Sequence, residues 1–291
     1  MTKPTLSHRL TAKLMNFERK LAGLTRKTAR LDGLDMVYYD NGNTAKPTLV
    51  LVHGYTADKT LWHRPAKLLA KDYHIIIPDM AGHGETPYDP SADYSIPSQV
   101  EWLAKLLKHL NIDNAHLVGS SMGGFIAASF AIAHPEMTQS ITLLDPAGIH
   151  SPEPSDIGRV FEDEGRNMFL AETRAEFHAF FDLVMAKPPY APQFIKNTIA
   201  DNHIARRTAY AHIFNDFFDS DFLEDKLGDI KAPTLLVWGK KDQILHVSAV
   251  PIWEAGIADC QTVIWDDLGH VPSMEDTKRT VGVVKGFVVG V

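Results

Sequence analysis

The sequence has a single cysteine, Cys260, in 291 residues, so no internal disulfide can form and nothing asks for an oxidising compartment. A cytoplasmic location is the expectation. No stretch approaches the ~20 apolar residues a membrane-spanning helix requires, and the N-terminus lacks the continuous apolar run of a secretory signal. There is no His-x-x-x-His and no Cys-x-x-Cys, so a metal centre finds no support. No Gly-x-Gly-x-x-Gly follows the early strand-like runs, which argues against a dinucleotide cofactor. Excess positive charge is missing as well: the formal net charge is -7, which argues against nucleic acid as a general partner. The chemistry expected of such a chain needs no cofactor and no metal, only water.

What is present is ordinary for a folded protein, with 45% hydrophobic and 22% charged residues. The length suits one large α/β core carrying an insertion. The charge is unevenly spread. Residues 1–30 hold Lys3, Arg9, Lys13, Arg19, Lys20, Arg26, Lys27 and Arg30 against Glu18 alone, which makes them a basic arm. Within it Leu10, Leu14, Phe17, Leu21 and Leu24 recur at helical spacing, so a helix here sets an apolar stripe beside a basic face. Two readings stand: the stripe lies on an anionic membrane surface, or it packs on the protein's own body.

Beyond the arm, short runs rich in β-branched residues alternate with helical patterns, as in a parallel sheet with crossover helices. The runs predict strands at 36–39, 48–52, 74–77, 115–118, 141–144, 234–238 and 262–265. Helices are predicted at 61–70, 98–111, 122–134, 248–258 and 273–289. The alternation breaks between Asp145 and Pro233, where no strand-like run occurs. Residues 146–228 therefore read as a helical cap inserted into a core made of residues 31–145 and 229–291. Ten of the fourteen phenylalanines fall in this insertion, most of them needed to fill its own small interior.

Gly119-Ser120-Ser121-Met122-Gly123 matches G-x-S-x-G between a predicted strand and a predicted helix, the context that gives the motif its meaning. Small residues at 119 and 123 leave room for a strained serine backbone that lifts the hydroxyl off the sheet. Gly124 is expected to let the helix approach the sheet. Register selects Ser121 over Ser120. A serine hydroxyl needs a base, and the base needs an acid to orient it. Asp242, after the strand at 234–238, and His270, after the last strand, stand at the carboxyl edge where ligand sites of such sheets lie. The competing acid is Asp145, otherwise a cap for its own turn at 146–148. Asp266 and Asp267 are too close in sequence to His270. Of the other histidines, His53 is expected behind the oxyanion site, and His83 is expected to organise a loop. The oxyanion donors are the backbone amides of Tyr55 and Met122.

With those residues in hand, the chain past residue 34 resembles the α/β-hydrolase superfamily. The segments 51–62, 117–124, 145–148 and 237–245 are similar to the monoacylglycerol lipases of the alpha/beta-hydrolase-domain-6 type and their bacterial lipase relatives. The resemblance implies an α/β-hydrolase fold and hydrolysis of monoacylglycerols or short-to-medium acyl esters under a mobile cap. The eukaryotic members begin with a spanning helix, where this chain has the basic arm. Dehalogenases and epoxide hydrolases of the superfamily carry aspartate at the elbow, so Ser121 argues against both. Carbon-carbon bond hydrolases of ring-cleavage products share the order serine, aspartate, histidine, and they bind a dicarboxylate-like substrate through a cap arginine. Here Arg159, Arg166, Arg174, Arg206 and Arg207 are the available ones. Cofactor-free peroxidases and hydrolase-fold small-molecule receptors are the remaining alternatives.

Overall fold

A computed structural model describes residues 5–291. Eight strands form one sheet: β1 (Thr25–Leu31), β2 (Leu34–Asp40), β3 (Thr48–Val52), β4 (His74–Pro78), β5 (Ala115–Ser120), β6 (Thr138–Leu144), β7 (Thr234–Gly239) and β8 (Cys260–Trp265). Their spatial order is β1-β2-β4-β3-β5-β6-β7-β8. The pairings β1 with β2 and β2 with β4 are antiparallel, and all the others are parallel. Strands β3 to β7 are buried along almost their whole length because both their faces are covered. On one face lie α3 (Ile96–His109), α4 (Met122–Ala133) and α9 (Val250–Gly256), and on the other α2 (His63–Leu69) and α11 (Thr277–Val289). The elbow helix α4 is apolar all round and almost wholly buried, as its central position demands.

Each of the seven predicted strands has a counterpart, and β1 is the one that composition concealed. Residues 25–30, read as part of the basic arm, instead pair along their length with β2. Only Ala29 and Leu31 of β1 are buried, so this edge strand carries a polar sequence with no apolar alternation to betray it. The single helix predicted over 273–289 is two: α10 (Pro272–Glu275) and α11, interrupted at Asp276, whose φ of -140° leaves the helix and whose side chain caps α11 at the Arg279 amide.

Between β6 and β7 the chain forms α5 (Asp156–Glu164), α6 (Arg174–Val184), α7 (Gln193–Ala205) and α8 (Arg207–Phe217). Phe177, Phe180, Phe214 and Phe217 are buried there, whereas Phe161, Phe194 and Phe218 are exposed. The N-terminal helix α1 (Leu6–Leu21) buries one residue, Thr11, and packs beside α2 and α7. Its apolar stripe faces away: Leu6, Leu10, Leu14, Phe17 and Leu21 are 73%, 44%, 39%, 58% and 49% exposed. Packing of that stripe on the body is therefore not what α1 does, and of the stripe only Leu24, beyond the helix, is buried. Among the described residues no helix is long and apolar enough to cross a membrane.

Candidate active site

Ser121 sits between β5 and α4 with φ 57° and ψ -122°, a region that costs a residue bearing a Cβ about 1–3 kcal/mol and persists only where its surroundings enforce it. They do. Its amide donates to Leu144 O at 3.0 Å, and its carbonyl accepts from Ala147 N at 3.1 Å, which ties the elbow to the end of β6. A Cβ on Gly119 would stand 2.1 Å from Gly123 O, and one on Gly123 would stand 2.3 Å from Val52 O, so neither position admits any side chain. A Cβ on Gly124 would stand 2.7 Å from the Pro146 ring and 3.4 Å from Gly119 O of β5, so the helix comes close to both. A serine at a helix start ordinarily accepts from the second or third amide. Ser121 makes no such bond, and its hydroxyl is left for other work.

The strands β5, β6, β7 and β8 are neighbours, so the loops that leave their carboxyl ends converge. His270 Nδ1 lies 2.7 Å from Asp242 Oδ2, with both residues 5% exposed. The other Asp242 oxygen accepts from Ile244 N at 2.7 Å and Leu245 N at 3.0 Å, which fixes the carboxylate independently of the imidazole. A Cβ on Gly239 would be 2.1 Å from Gly269 O, so the two loops touch backbone to backbone. Among the described residues no hydrogen bond joins the Ser121 hydroxyl to the His270 imidazole.

Asp145 is fully buried, and its φ is 44°. It does not cap its own turn. Its Oδ1 accepts from Gly239 N at 2.7 Å, across to β7, and its Oδ2 has no partner among the described residues. Burial raises its pKa well above the usual carboxylate value, and the negative charge of Asp242 raises it further. Asp145, Asp242 and His270 place polar atoms within 4.8 Å of one another. A cation finds little there, because the His270 Nδ1 and Asp242 oxygens are already engaged with each other and with amides. Asp266 and Asp267 lie at the surface and pair with Lys240 and Arg279, at 3.1 and 2.8 Å.

The loop after β3 closes the site from the other side. A Cβ on Gly54 would come 3.0 Å from Ser121 Cβ, so the following amide, that of Tyr55, is carried close to the serine. Among the described residues no acceptor engages the Tyr55 amide. That of Met122 opens α4, where helix amides have no internal partner and the helix dipole favours negative charge. Behind them His53 is fully buried: it bonds Gly54 O at 2.8 Å through Nδ1 and accepts from Met80 N at 3.0 Å through Nε2. Burial holds its pKa below the ordinary value, so it serves as a neutral brace. His83 Nδ1 bonds Ala81 O at 3.1 Å within its own loop. The Tyr55 ring packs against Phe169, Phe214 and Phe217 at centroid distances of 5.2, 5.8 and 5.2 Å, which anchors this loop to the inserted helices.

Residues 47–277 match the sequence model of the alpha/beta hydrolase fold family. The chain belongs to that family. Among its relatives, Lipase 1 of Psychrobacter immobilis is 35% identical over 95% of this chain and 88% of that protein. Monoacylglycerol lipase ABHD6 of Homo sapiens is 30% identical over 84% of this chain and 76% of that one. A crystal structure of a membrane phospholipase A, described as a bacterial virulence factor, superposes with a TM-score of 0.95 at 32% identity, covering 98% and 92% of the two chains. The meta-cleavage product hydrolase CumD shares the fold at 20% identity and a TM-score of 0.75.

Four of the five arginines of the inserted segment are engaged elsewhere. Arg174 makes a two-pronged pair with Asp201 at 2.6 and 2.7 Å, Arg166 holds Glu164 at 2.9 Å, and Arg207 holds Glu172 at 2.7 Å. Arg206 donates to the carbonyls of Gly82 and Gly84, and Arg159 is exposed.

Proposed function

We propose that this chain is a carboxylic ester hydrolase that cleaves monoacylglycerols or short-to-medium acyl esters through a Ser121 acyl-enzyme. The observation that carries the reading is the buried 2.7 Å bond between His270 and Asp242 at the carboxyl edge of the sheet, the same edge at which Ser121 is held in a strained turn with its hydroxyl unengaged. Asp242 holds the imidazole with its proton on Nδ1, leaving Nε2 basic. His270 takes the Ser121 proton as the hydroxyl attacks the ester carbonyl, and the Tyr55 and Met122 amides bind the oxyanion. The alcohol leaves with a proton from His270. Water activated by the same imidazole then releases the acid. Every step is served by groups of this chain and water alone.

The partners already held by Arg166, Arg174, Arg206 and Arg207 weigh against the ring-cleavage alternative. Lipase-named relatives at 30–35% identity over most of the chain support the same choice. A series of p-nitrophenyl acyl esters of increasing chain length, run with 1-monoacylglycerol and a ring-cleavage dienoate, tests it. Turnover of the esters and the glyceride with none of the dienoate is expected, and preference for the dienoate contradicts the reading.

The exposed stripe of α1 extends the proposal to a lipid surface. Helical spacing sets Arg9, Lys13 and Lys20 beside Leu6, Leu10, Leu14, Phe17 and Leu21, and all of these are exposed. That is the pattern of a helix lying in an anionic interface, as at the cytoplasmic leaflet. Its neighbour α7 adds exposed Phe194 and Ile199. Flotation with vesicles of phosphatidylglycerol and phosphatidylcholine is expected to carry the wild-type chain upward and to leave the double variant Leu10→Asp, Phe17→Asp at the bottom. Equal flotation of both rules out this face.

A further inference from the structure

A carboxylate outside the serine, histidine and aspartate joins the histidine loop to the inserted helices. Glu275 ends α10, and its oxygens accept from three backbone amides: Gly269 N at 3.0 Å to each oxygen, Val271 N at 3.2 Å and Lys187 N at 2.8 Å. The first two flank His270 on either side. The third belongs to the segment that follows α6, far away in the chain. The two segments also meet along their backbones. His270 N donates to Val184 O at 3.1 Å, and a Cβ on Gly269 would stand 2.7 Å from Ala186 N. At the rim Lys187 Nζ bonds Asp267, which also accepts from Arg279. Charge-assisted bonds to amides are among the stronger ones a protein makes. One carboxylate that satisfies amides from two segments fixes each relative to the other.

We propose that Glu275 is a positioning residue for His270, tying the loop of the imidazole to the segment Val184–Lys187, so that the base is held for proton transfer while the inserted helices are seated. The proposal rests on the ester-hydrolase reading for the reaction His270 serves. The carboxylate touches neither the imidazole nor substrate, and its influence runs through the amides at 269 and 271. A displacement of the base by ~1 Å is enough to cost about 100-fold in rate.

The test compares Glu275→Gln with the pair Lys187→Pro and Lys187→Ala. Glutamine keeps one acceptor oxygen and turns an NH2 group towards the amides. With p-nitrophenyl butyrate, Glu275→Gln is expected to lower kcat by about 10- to 100-fold while KM stays within about 3-fold. The downfield proton resonance of the His270 to Asp242 bond should shift or broaden in that variant. Lys187→Pro deletes the amide, whereas Lys187→Ala keeps it and removes the same ammonium. A kcat several-fold lower for proline than for alanine is therefore expected. A wild-type kcat and an unmoved proton resonance in Glu275→Gln, or equal kcat in the two Lys187 variants, overturns the proposal. If Glu275→Gln does not fold, the Lys187 pair decides alone, since it leaves Glu275 in place. If the wild-type protein cleaves no ester at all, the ester reading fails, and the proton resonance still decides the positioning role.

Discussion

Replacing Ser121 with alanine is expected to reduce kcat/KM for p-nitrophenyl butyrate on the order of 10⁵-fold, about 7 kcal/mol of transition-state stabilisation. The size follows from the geometry. Its neighbour Ser120 is 3% exposed, ends β5 and cannot stand in for it, so no second hydroxyl occupies the elbow. The donors at Tyr55 and Met122 would survive the change, leaving only the small residual rate that oxyanion binding supplies without a nucleophile. Stability should move in the opposite direction or not at all, because alanine at φ 57° suffers the same backbone strain and gives up no cap bond that the serine makes. A variant that folds normally yet loses less than about 100-fold in kcat/KM would place the nucleophile elsewhere.

Two aspartates lie within reach of the imidazole, and their expected behaviour under the same substitution is opposite. Asp242→Asn should lower kcat by roughly 10⁴-fold, because an amide facing Nδ1 stabilises the wrong tautomer and cannot balance the imidazolium. Asp145→Asn should retain kcat within about 10-fold, since asparagine keeps the acceptor for Gly239 N and a neutral group suits a fully buried site. Its stability effect has a definite sign. The folded-state pKa of Asp145 is raised above the unfolded value of ~3.9, so its stabilising contribution is fully present below that pH and is lost as the pH rises through the folded value. Asp145→Asn should therefore melt higher than wild type at pH 8, and the gap should close towards pH 4. Thermal melts across that range check the sign, and ester turnover checks the roles. An inactive Asp145→Asn beside an active Asp242→Asn would exchange the two assignments.

The central strands could be read from the sequence because their composition leaves few choices: Leu49–Val52 in one and Ile75–Ile77 in another are apolar and rich in β-branched residues, as suits strands covered on both faces. The edge strand β1 could not, because water bathes most of its side chains and the antiparallel ladder to β2 asks nothing of them. The elbow was legible for a different reason. Gly119 and Gly123 stand where any Cβ would strike backbone, and that exclusion is written into the residue types. The choice between Asp242 and Asp145 was only half written, for both follow strands at the same edge. What separates them is which carboxylate meets Nδ1 and which meets the Gly239 amide, a matter of loop path. Glu275 escaped notice because a glutamate on a four-residue helix has no periodic signature, and its three partners are amides, which every residue other than proline owns. The amphipathic pattern of α1 was plain, but its direction was not. The face turned to the body carries Thr11, and the leucines point outward.

The most direct test of the central claim is covalent capture of the nucleophile. A fluorophosphonate that mimics the tetrahedral oxyanion should add once per chain, and peptide mapping by mass spectrometry should put the adduct on Ser121. Labelling should slow sharply in His270→Ala. An adduct on Ser120 or on any other side chain, or labelling of Ser121 at an undiminished rate without the imidazole, would contradict the account.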